Sequence, residues 1–224
     1  MNVRFLFLTL IATFTLFGCQ KHNEPQQVVD ILIFNGQVYI GDMTGQQNLD
    51  IAICQQVICG VLPTGKHNVK ASKIIDAAGH IVSPGFIDPH THTMQELLSQ
   101  DKNNNLNYLT QGVTTVINGN DGDGGFKIAE LAKQLETNGI GTNTALLAGH
   151  NQIRKHVMGK ENRHATKDEI KQMETLVEQA MQQGAIGFST GLYYVPGSYA
   201  ATEEVVALSK IAAKYNGIYD THLR

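Results

Sequence analysis

The chain has 224 residues, with 17 lysines and arginines, 20 aspartates and glutamates, and a formal net charge of −3. This balance, without a cluster of basic residues, argues against a nucleic-acid partner. Hydrophobic residues make up 42% of the sequence, which is ample for a packed core in a chain of this length.

The first 18 residues have the pattern of a targeting segment. Arg4 supplies a short positive region, and residues 5–17 form a mostly apolar run that is too short to span a membrane. The run ends in Leu-Phe-Gly-Cys19, which resembles a bacterial lipobox, where the cysteine becomes the lipidated first residue. We therefore expect an exported periplasmic or cell-envelope lipoprotein, held at a membrane by Cys19, with residues 19–27 as a polar tether. An ordinary secretory signal is the alternative.

Residues 28–82 are predicted to form a small β-sandwich segment, because short apolar strands alternate there with turn signals. Asn35-Gly36 predicts a hairpin, and residues 76–79 predict a second turn. His67 and His80 lie in turns, where we expect them to be solvated. This segment would precede the part of the chain that carries chemistry.

Cys54 and Cys59 flank a probable turn at Gln55-Gln56. In a simple two-residue hairpin, Cys54 would face Val57 and Cys59 would face Ala52, so the cysteines would not be cross-strand partners. A disulfide is possible, but two small apolar strand residues are the favoured interpretation.

Residues 83–224 repeat an alternation of strand and helix, which is typical of βα units and predicts an α/β fold. The spacings between strand starts are 28, 31, 41 and 33 residues, with starts near Gly85, Val113, Thr144, Ala185 and Ile218. Two helix starts are marked: Thr166 with Glu169 makes a capping box, and Thr202 is predicted to cap a later helix. The buried face of that later helix is predicted to hold Val205, Leu208, Ala212 and Tyr215.

The first of these strands ends in two histidines, His90 and His92. Residues two apart on a strand point the same way, so the two imidazoles would lie side by side. Imidazole is a common zinc ligand, and this pair predicts half of a metal site. The alternative is a chance pair on an exposed strand.

Every later strand of the series also ends in polar residues, which is where barrel enzymes build their active sites. They are Asn118, Asn120, Asp121 and Asp123 after the second strand, His150 after the third, Ser189, Thr190, Tyr193 and Tyr194 after the fourth, and Asp220, Thr221 and His222 in the fifth.

The phrase PGFID followed by His-x-His resembles the opening of the barrel in the amidohydrolase superfamily. Further phrases, GVTTVINGN, AGHNQIRKHVMG, GAIGFSTGLYYVPGSYATEEVVAL and THLR, resemble the D-aminoacylase or N-acyl-D-amino-acid deacylase group. The resemblance implies a TIM-like barrel, one or two divalent metal ions such as zinc, and hydrolysis of a linear amide in an N-acyl amino acid. It also implies that His90, His92 and His222 bind the metal and that Tyr194 contacts the substrate or the developing oxyanion.

Position 121 departs from this group, which usually has a cysteine ligand after Gly-Asn. A carboxylate can replace a thiolate on zinc and can bridge two ions, but it is a harder ligand and favours harder ions. We expect Asp121 to be the fourth ligand, with a simple turn residue as the alternative.

A closed barrel needs eight βα units and about 250 residues, whereas this sequence reaches Arg224 at the end of its fifth strand. The strand-six histidine and the strand-eight aspartate, the general base in the family, have no counterpart among these residues. We therefore expect this sequence to be the N-terminal portion of a longer enzyme.

Four further residues are candidates for supporting roles. His150 and Ser189 are candidates for hydrogen bonding to a ligand or contacting substrate, although His150 is equally consistent with a structural role. Arg154 and Arg224 are candidates for holding a substrate carboxylate, with ordinary ion pairing as the alternative. The alternatives to deacylation are a cyclic amidase such as a dihydroorotase or hydantoinase, a deaminase, or a non-catalytic remnant.

Overall fold

The computed structural model describes residues 26–223, which divide into two compact units between Pro84 and Gly85. The sequence placed this division between residues 82 and 83. The predicted targeting segment, most of the tether with Cys19, and Arg224 lie outside the described residues.

The described part of the first unit, from residue 26 onward, contains six strands. In chain order they are β1 (Gln27–Phe34), β2 (Gln37–Val38), β3 (Leu49–Cys54), β4 (Val57–Pro63), β5 (Val69–Asp76) and β6 (Ile81–Val82). Four of them form a sheet in the order β4-β3-β1-β5, in which β1 pairs antiparallel with β3 and parallel with β5. Val29, Leu32 and Ala52 form the small apolar core of this unit.

The predicted hairpin at Asn35-Gly36 is wrong in its pairing. Asn35 adopts a left-handed conformation with φ of 60°, so the chain does turn there. However, β2 pairs in parallel with β6 and not with β1. The flanks of β1 are already occupied by β3 and β5, so the turn leads the chain into a separate two-stranded sheet.

Cys54 and Cys59 form a disulfide with a Cα separation of 5.7 Å, so the expectation of unpaired cysteines is wrong. Cys54 does face Val57, but the register shifts further along, where Ile53 faces Ile58 and Ala52 faces Gly60. Cys59 is therefore the extra residue of a β-bulge, a distortion that bends the strand locally. The simple two-residue hairpin expected from the sequence has no bulge, so it does not predict this position for Cys59.

His67 is also not solvated as expected. Its Nε2 lies 2.8 Å from Asp50 Oδ2, and its side chain is only 14% exposed. The same carboxylate, which is almost fully buried, accepts a hydrogen bond from Gly65 N. The pair thus secures the turn after β4, whereas His80 is exposed as expected.

The second unit alternates strands and helices as predicted, and the α/β fold is confirmed. Its elements in chain order are β7 (Phe86–Thr91), α1 (Met94–Leu98), α2 (Leu106–Leu109), β8 (Val113–Asn118), α3 (Ile128–Asn138), β9 (Asn143–Gly149), α4 (His150–Met158), α5 (Lys167–Gln182), β10 (Gly187–Gly191), α6 (Thr202–Lys214) and β11 (Ile218–His222). Short 3₁₀ turns follow β8 at Asn120–Gly122 and precede α6 at Gly197–Tyr199.

The five strands of this unit form one parallel sheet in sequence order, β7-β8-β9-β10-β11. Helix residues cover the sheet with a continuous apolar core that includes Leu97, Val116, Leu146, Met173, Val177, Phe188 and Leu208. Because all the strands run the same way, their carboxyl ends meet at one edge, which positions the polar residues described below. Within residues 26–223, every helix is too short or too polar to cross a lipid bilayer.

The capping box at the start of α5 is confirmed. Glu169 N donates to Thr166 Oγ1 at 3.3 Å, and Thr166 N donates to Glu169 Oε2 at 2.7 Å. Arg163 donates two hydrogen bonds to the same carboxylate. These hydrogen bonds, of which those from Arg163 have the largest effect, lower the pKa of Glu169 from 4.5 to about 2. The carboxylate of the capping box is therefore ionised at neutral pH.

The start of α6 differs from the prediction by one residue. Ala201 is the N-cap, so Thr202 is the first helical residue and not the cap. Leu208 and Ala212 are buried as predicted, but Tyr215 follows the last helical residue and is 38% exposed. Its hydroxyl accepts a hydrogen bond from Gln182 Nε2.

Candidate metal centre

Three histidines surround Asp121 at the carboxyl edge of the parallel sheet. Asp121 Oδ2 lies 3.5 Å from His90 Nε2 and 3.3 Å from His92 Nε2, both at the end of β7. Asp121 Oδ1 lies 3.8 Å from His222 Nδ1, at the end of β11. The structure therefore brings together all four residues that the sequence singled out as ligands.

The arrangement of these side chains fits a divalent cation. Ligand atoms of His90, His92 and Asp121 all lie within 4.8 Å of one another. Asp121 Oδ1 is buried yet has no hydrogen-bond partner among residues 26–223. A buried carboxylate oxygen without a partner calls for an explanation, and a bound ion supplies one. Imidazole nitrogen and carboxylate oxygen are also the ligand types that zinc accepts.

The backbone that carries Asp121 is held by Ser189. The Ser189 hydroxyl accepts a hydrogen bond from Gly122 N at 3.1 Å and donates one to Gly119 O. Ser189 is fully buried in β10, so it supports the loop and does not face a substrate. Asp121 itself has φ of 58°, a left-handed conformation that aspartate tolerates better than most residues.

Close packing restrains the same loop further. A Cβ atom on Gly124 would lie 2.1 Å from Leu147 O, and a Cβ atom on Gly191 would lie 2.0 Å from Asp121 O. Any side chain at either position would force the backbones apart. The glycines thus let the loop lie directly against β9 and β10.

Two buried asparagines fix the end of β7, where His90 and His92 lie. Asn118 accepts a hydrogen bond from Thr93 N at 2.9 Å. Asn120 accepts one from Thr91 N at 3.3 Å and donates one to Pro89 O at 3.1 Å. The sequence indicated both asparagines as strand-end residues but gave them no role.

Tyr194, for which the sequence predicts a substrate contact, lies beside His222. Its hydroxyl is 3.5 Å from His222 Nδ1, and the two rings meet edge to face at 5.0 Å. The side chain is 42% exposed, so its hydroxyl is open to a bound molecule.

A cavity of about 410 Å³ opens next to these residues. His92, Asp121 and Tyr194 line it together with two exposed lysines, Lys155 and Lys160. Neither lysine forms an ion pair with any other residue in the described part of the chain. The cavity therefore places two lysines, along with the carboxylates of Asp121 and Asp123, beside the candidate metal centre.

A model of the amidohydrolase family matches residues 73–217 of this sequence. The chain belongs to the amidohydrolase family. D-aminoacylase of Alcaligenes xylosoxydans xylosoxydans is 32% identical to it over 224 residues, an alignment that covers 90% of this chain and 46% of that relative.

Solved structures show the same fold. One describes the binuclear metal centre of D-aminoacylase, with 30% identity, a TM-score of 0.80, and coverage of 88% of this amidohydrolase and 45% of that chain. Another is N-acyl-D-glutamate deacylase from Bordetella bronchiseptica with zinc and a phosphonate inhibitor, at 29% identity, a TM-score of 0.77, and coverage of 88% and 46%. This amidohydrolase spans about half the length of the relatives it matches.

Two other predicted site residues belong to a buried ionic cluster and not to the cavity. His150 Nε2 lies 2.7 Å and Arg154 Nε lies 2.9 Å from Glu204 Oε1, and all three side chains are fully buried. A role for Arg154 in holding a substrate carboxylate is therefore wrong, because its charge is paired inside the protein. For His150, the structural alternative is the one that the geometry supports.

Sequence reasoning missed Glu204 and the two lysines of this amidohydrolase. Glu204 follows Glu203 in the first turn of α6, where glutamate usually faces water, and only the tertiary packing shows that one of the two is buried. Lys155 and Lys160 lie just after the strand-three end, so their proximity to a site was a signal available from the sequence.

Proposed function

We propose that this amidohydrolase is a metal-dependent hydrolase of the linear amide bond in N-acyl-D-amino acids. The observation that carries the proposal is the Asp121 carboxylate, which lies among three histidines beside an open cavity and whose buried Oδ1 has no hydrogen-bond partner among residues 26–223. The matched relatives include a D-aminoacylase and an N-acyl-D-glutamate deacylase, and both names describe amide hydrolysis at D-amino acids.

His90, His92, Asp121 and His222 would hold one or two divalent ions, for which zinc fits the nitrogen and oxygen donors. Such an ion would supply Lewis acidity and lower the pKa of a coordinated water. The zinc in the Bordetella deacylase structure and the binuclear centre of the D-aminoacylase structure support this assignment.

The remaining residues of the cavity suit an N-acyl amino acid. The Tyr194 hydroxyl, which lies 3.5 Å from His222 Nδ1, would donate a hydrogen bond to the scissile carbonyl, where negative charge develops during hydrolysis. Lys155 and Lys160 supply cations for the carboxylate that every such substrate carries. These lysines would bind the substrate carboxylate, a role for which Arg154 was a candidate in the sequence.

The proposal is tested by expressing the protein from its complete gene, loading it with zinc, incubating it with matched N-acetyl-D- and N-acetyl-L-amino acids and measuring the released amine. We expect release from the D series only, and we expect His92→Ala to abolish it. His80→Ala, which removes an exposed histidine in the other unit, is the matched control and should retain full activity. Hydrolysis of a dihydroorotate or hydantoin ring in place of the linear amide would contradict the proposal.

We also propose that the protein is exported and anchored to a membrane through a lipid on Cys19. The Cys54–Cys59 disulfide supports export, since disulfides persist mainly in oxidising compartments. The apolar run of residues 5–17 and the lipobox-like sequence support the anchor.

Metabolic labelling with a radioactive fatty acid tests the anchor. The full chain is expected to incorporate label and to sediment with membranes, and Cys19→Ala is expected to lose both properties. Cys59→Ala, which removes a disulfide cysteine, should keep the label. Label that persists in Cys19→Ala would contradict the anchor.

A further inference from the structure

Asp220 lies on the opposite side of the His90 ring from Asp121. Asp220 Oδ1 is 3.9 Å from His90 Nδ1, whereas Asp121 Oδ2 is 3.5 Å from His90 Nε2. Each ring nitrogen of His90 therefore has a carboxylate of its own. Asp220 is two residues before His222 on β11, so both side chains point to the same face of the sheet.

The Asp220 carboxylate is held in this position by Asn120. The Asn120 amide donates to Asp220 Oδ2 at 3.3 Å, and the same amide group is bonded to Pro89 O and Thr91 N on β7. Asn120 is fully buried, whereas the side chain of Asp220 is 26% exposed. The network ties β7 to β11, the two outer strands of the sheet, and leaves Asp220 Oδ1 facing His90.

We propose that Asp220 is a positioning residue that draws the proton of neutral His90 toward Nδ1, against the attraction of Asp121 on Nε2, and so favours the form in which Nε2 can bind a metal ion. A neutral imidazole has one N–H, and the group facing the other nitrogen decides which nitrogen carries it. At 3.9 Å the influence of Asp220 is the attraction of a nearby negative charge.

The inference rests on the metal binding proposed above, and its test does not use hydrolysis. Zinc affinity is measured by competition with a chromophoric chelator for the full chain and for Asp220→Asn. We expect the affinity to fall about 10-fold, the lower end of the range for loss of a hydrogen-bonded outer partner, because Asp220 acts on His90 by its charge alone. We expect an unchanged number of bound zinc ions, because Asp220 acts through His90.

Asp123→Asn is the matched control. It removes the same charge from a carboxylate in the cavity that His92 and Asp121 line, but Asp123 is hydrogen-bonded to Gln152 and does not face a histidine. Its effect on zinc affinity is expected to be less than about threefold, the range for a screened charge. Equal losses in the two variants would overturn the proposal, and so would the loss of one zinc equivalent in Asp220→Asn.

A second readout uses the metal-free chain. The ¹⁵N shifts of His90 report which nitrogen carries the proton, and Asp220→Asn is expected to increase the fraction protonated at Nε2. An unchanged fraction would overturn the proposal, even in a chain that binds no zinc. If the protein binds zinc and Asp220→Asn lowers the zinc affinity as expected, but no amide is hydrolysed, the proposed function is refuted and the role of Asp220 is not.

Discussion

Zinc affinity is expected to fall by more than about a hundredfold when Asp121 is replaced by glycine, since losing even an outer partner of a ligand costs up to that much. Glycine suits the left-handed backbone at this position, with φ of 58°, so the change removes the carboxylate without adding strain. The remaining imidazoles of His90, His92 and His222 would then lack the charge that they share in the structure. Competition with a chromophoric chelator measures the loss.

Two further variants sharpen this prediction. Asp121→Cys is expected to keep zinc binding and to shift preference toward softer ions, because a thiolate is a softer ligand than a carboxylate. Ser198→Gly, outside the metal centre on the 3₁₀ turn before α6, is the matched control and should bind zinc normally. If Asp121→Gly bound zinc as tightly as the unmodified chain, Asp121 would not be a ligand.

Glu204→Gln is expected to lower the free energy of unfolding by about 3–5 kcal/mol, the cost of removing one partner from a buried ion pair. The glutamine keeps the volume but leaves the positive charge of Arg154 without a compensating charge inside the protein. His150 would also lose the carboxylate that faces its Nε2 at 2.7 Å. Urea unfolding of the metal-free chain measures the change.

The neighbouring Glu203 provides the control for this variant. It lies in the same first turn of α6 but is exposed, so Glu203→Gln is expected to change stability by no more than about 0.5 kcal/mol. A double variant, Glu204→Leu with Arg154→Met, replaces both charges by apolar groups and is expected to recover part of the loss. Equal unfolding midpoints for Glu204→Gln and Glu203→Gln would show that the cluster contributes nothing.

Local signals predicted much of the parallel sheet and its helices. The strand starts followed from apolar runs at regular spacing, and the capping box at Thr166 and Glu169 followed from two residues three apart. Such features depend on near neighbours in the chain. The Cys54–Cys59 disulfide was not predictable in the same way, because it depends on a bulge that the residue types do not mark.

The candidate site shows the same division between local and distant information. His90 and His92 were recognisable because a strand places them on one side, and Asp121 because it follows a strand end. The partners of His150 and Arg154 were not recognisable, because Glu204 lies 50 or more residues away in the sequence and reaches these two residues only in the folded chain.

The packing around the loop of Asp121 has a consequence for the thermodynamics of ion capture. Two hydrogen bonds of Ser189 hold this backbone, together with the close packing at Gly124 and Gly191. None of these contacts involves an ion. Ordering a loop costs about 1–2 kcal/mol of conformational entropy for each residue fixed. Because folding has already ordered this loop, binding of an ion is expected to leave the loop conformation unchanged. The free energy of binding is then expected to come from coordination of the ion.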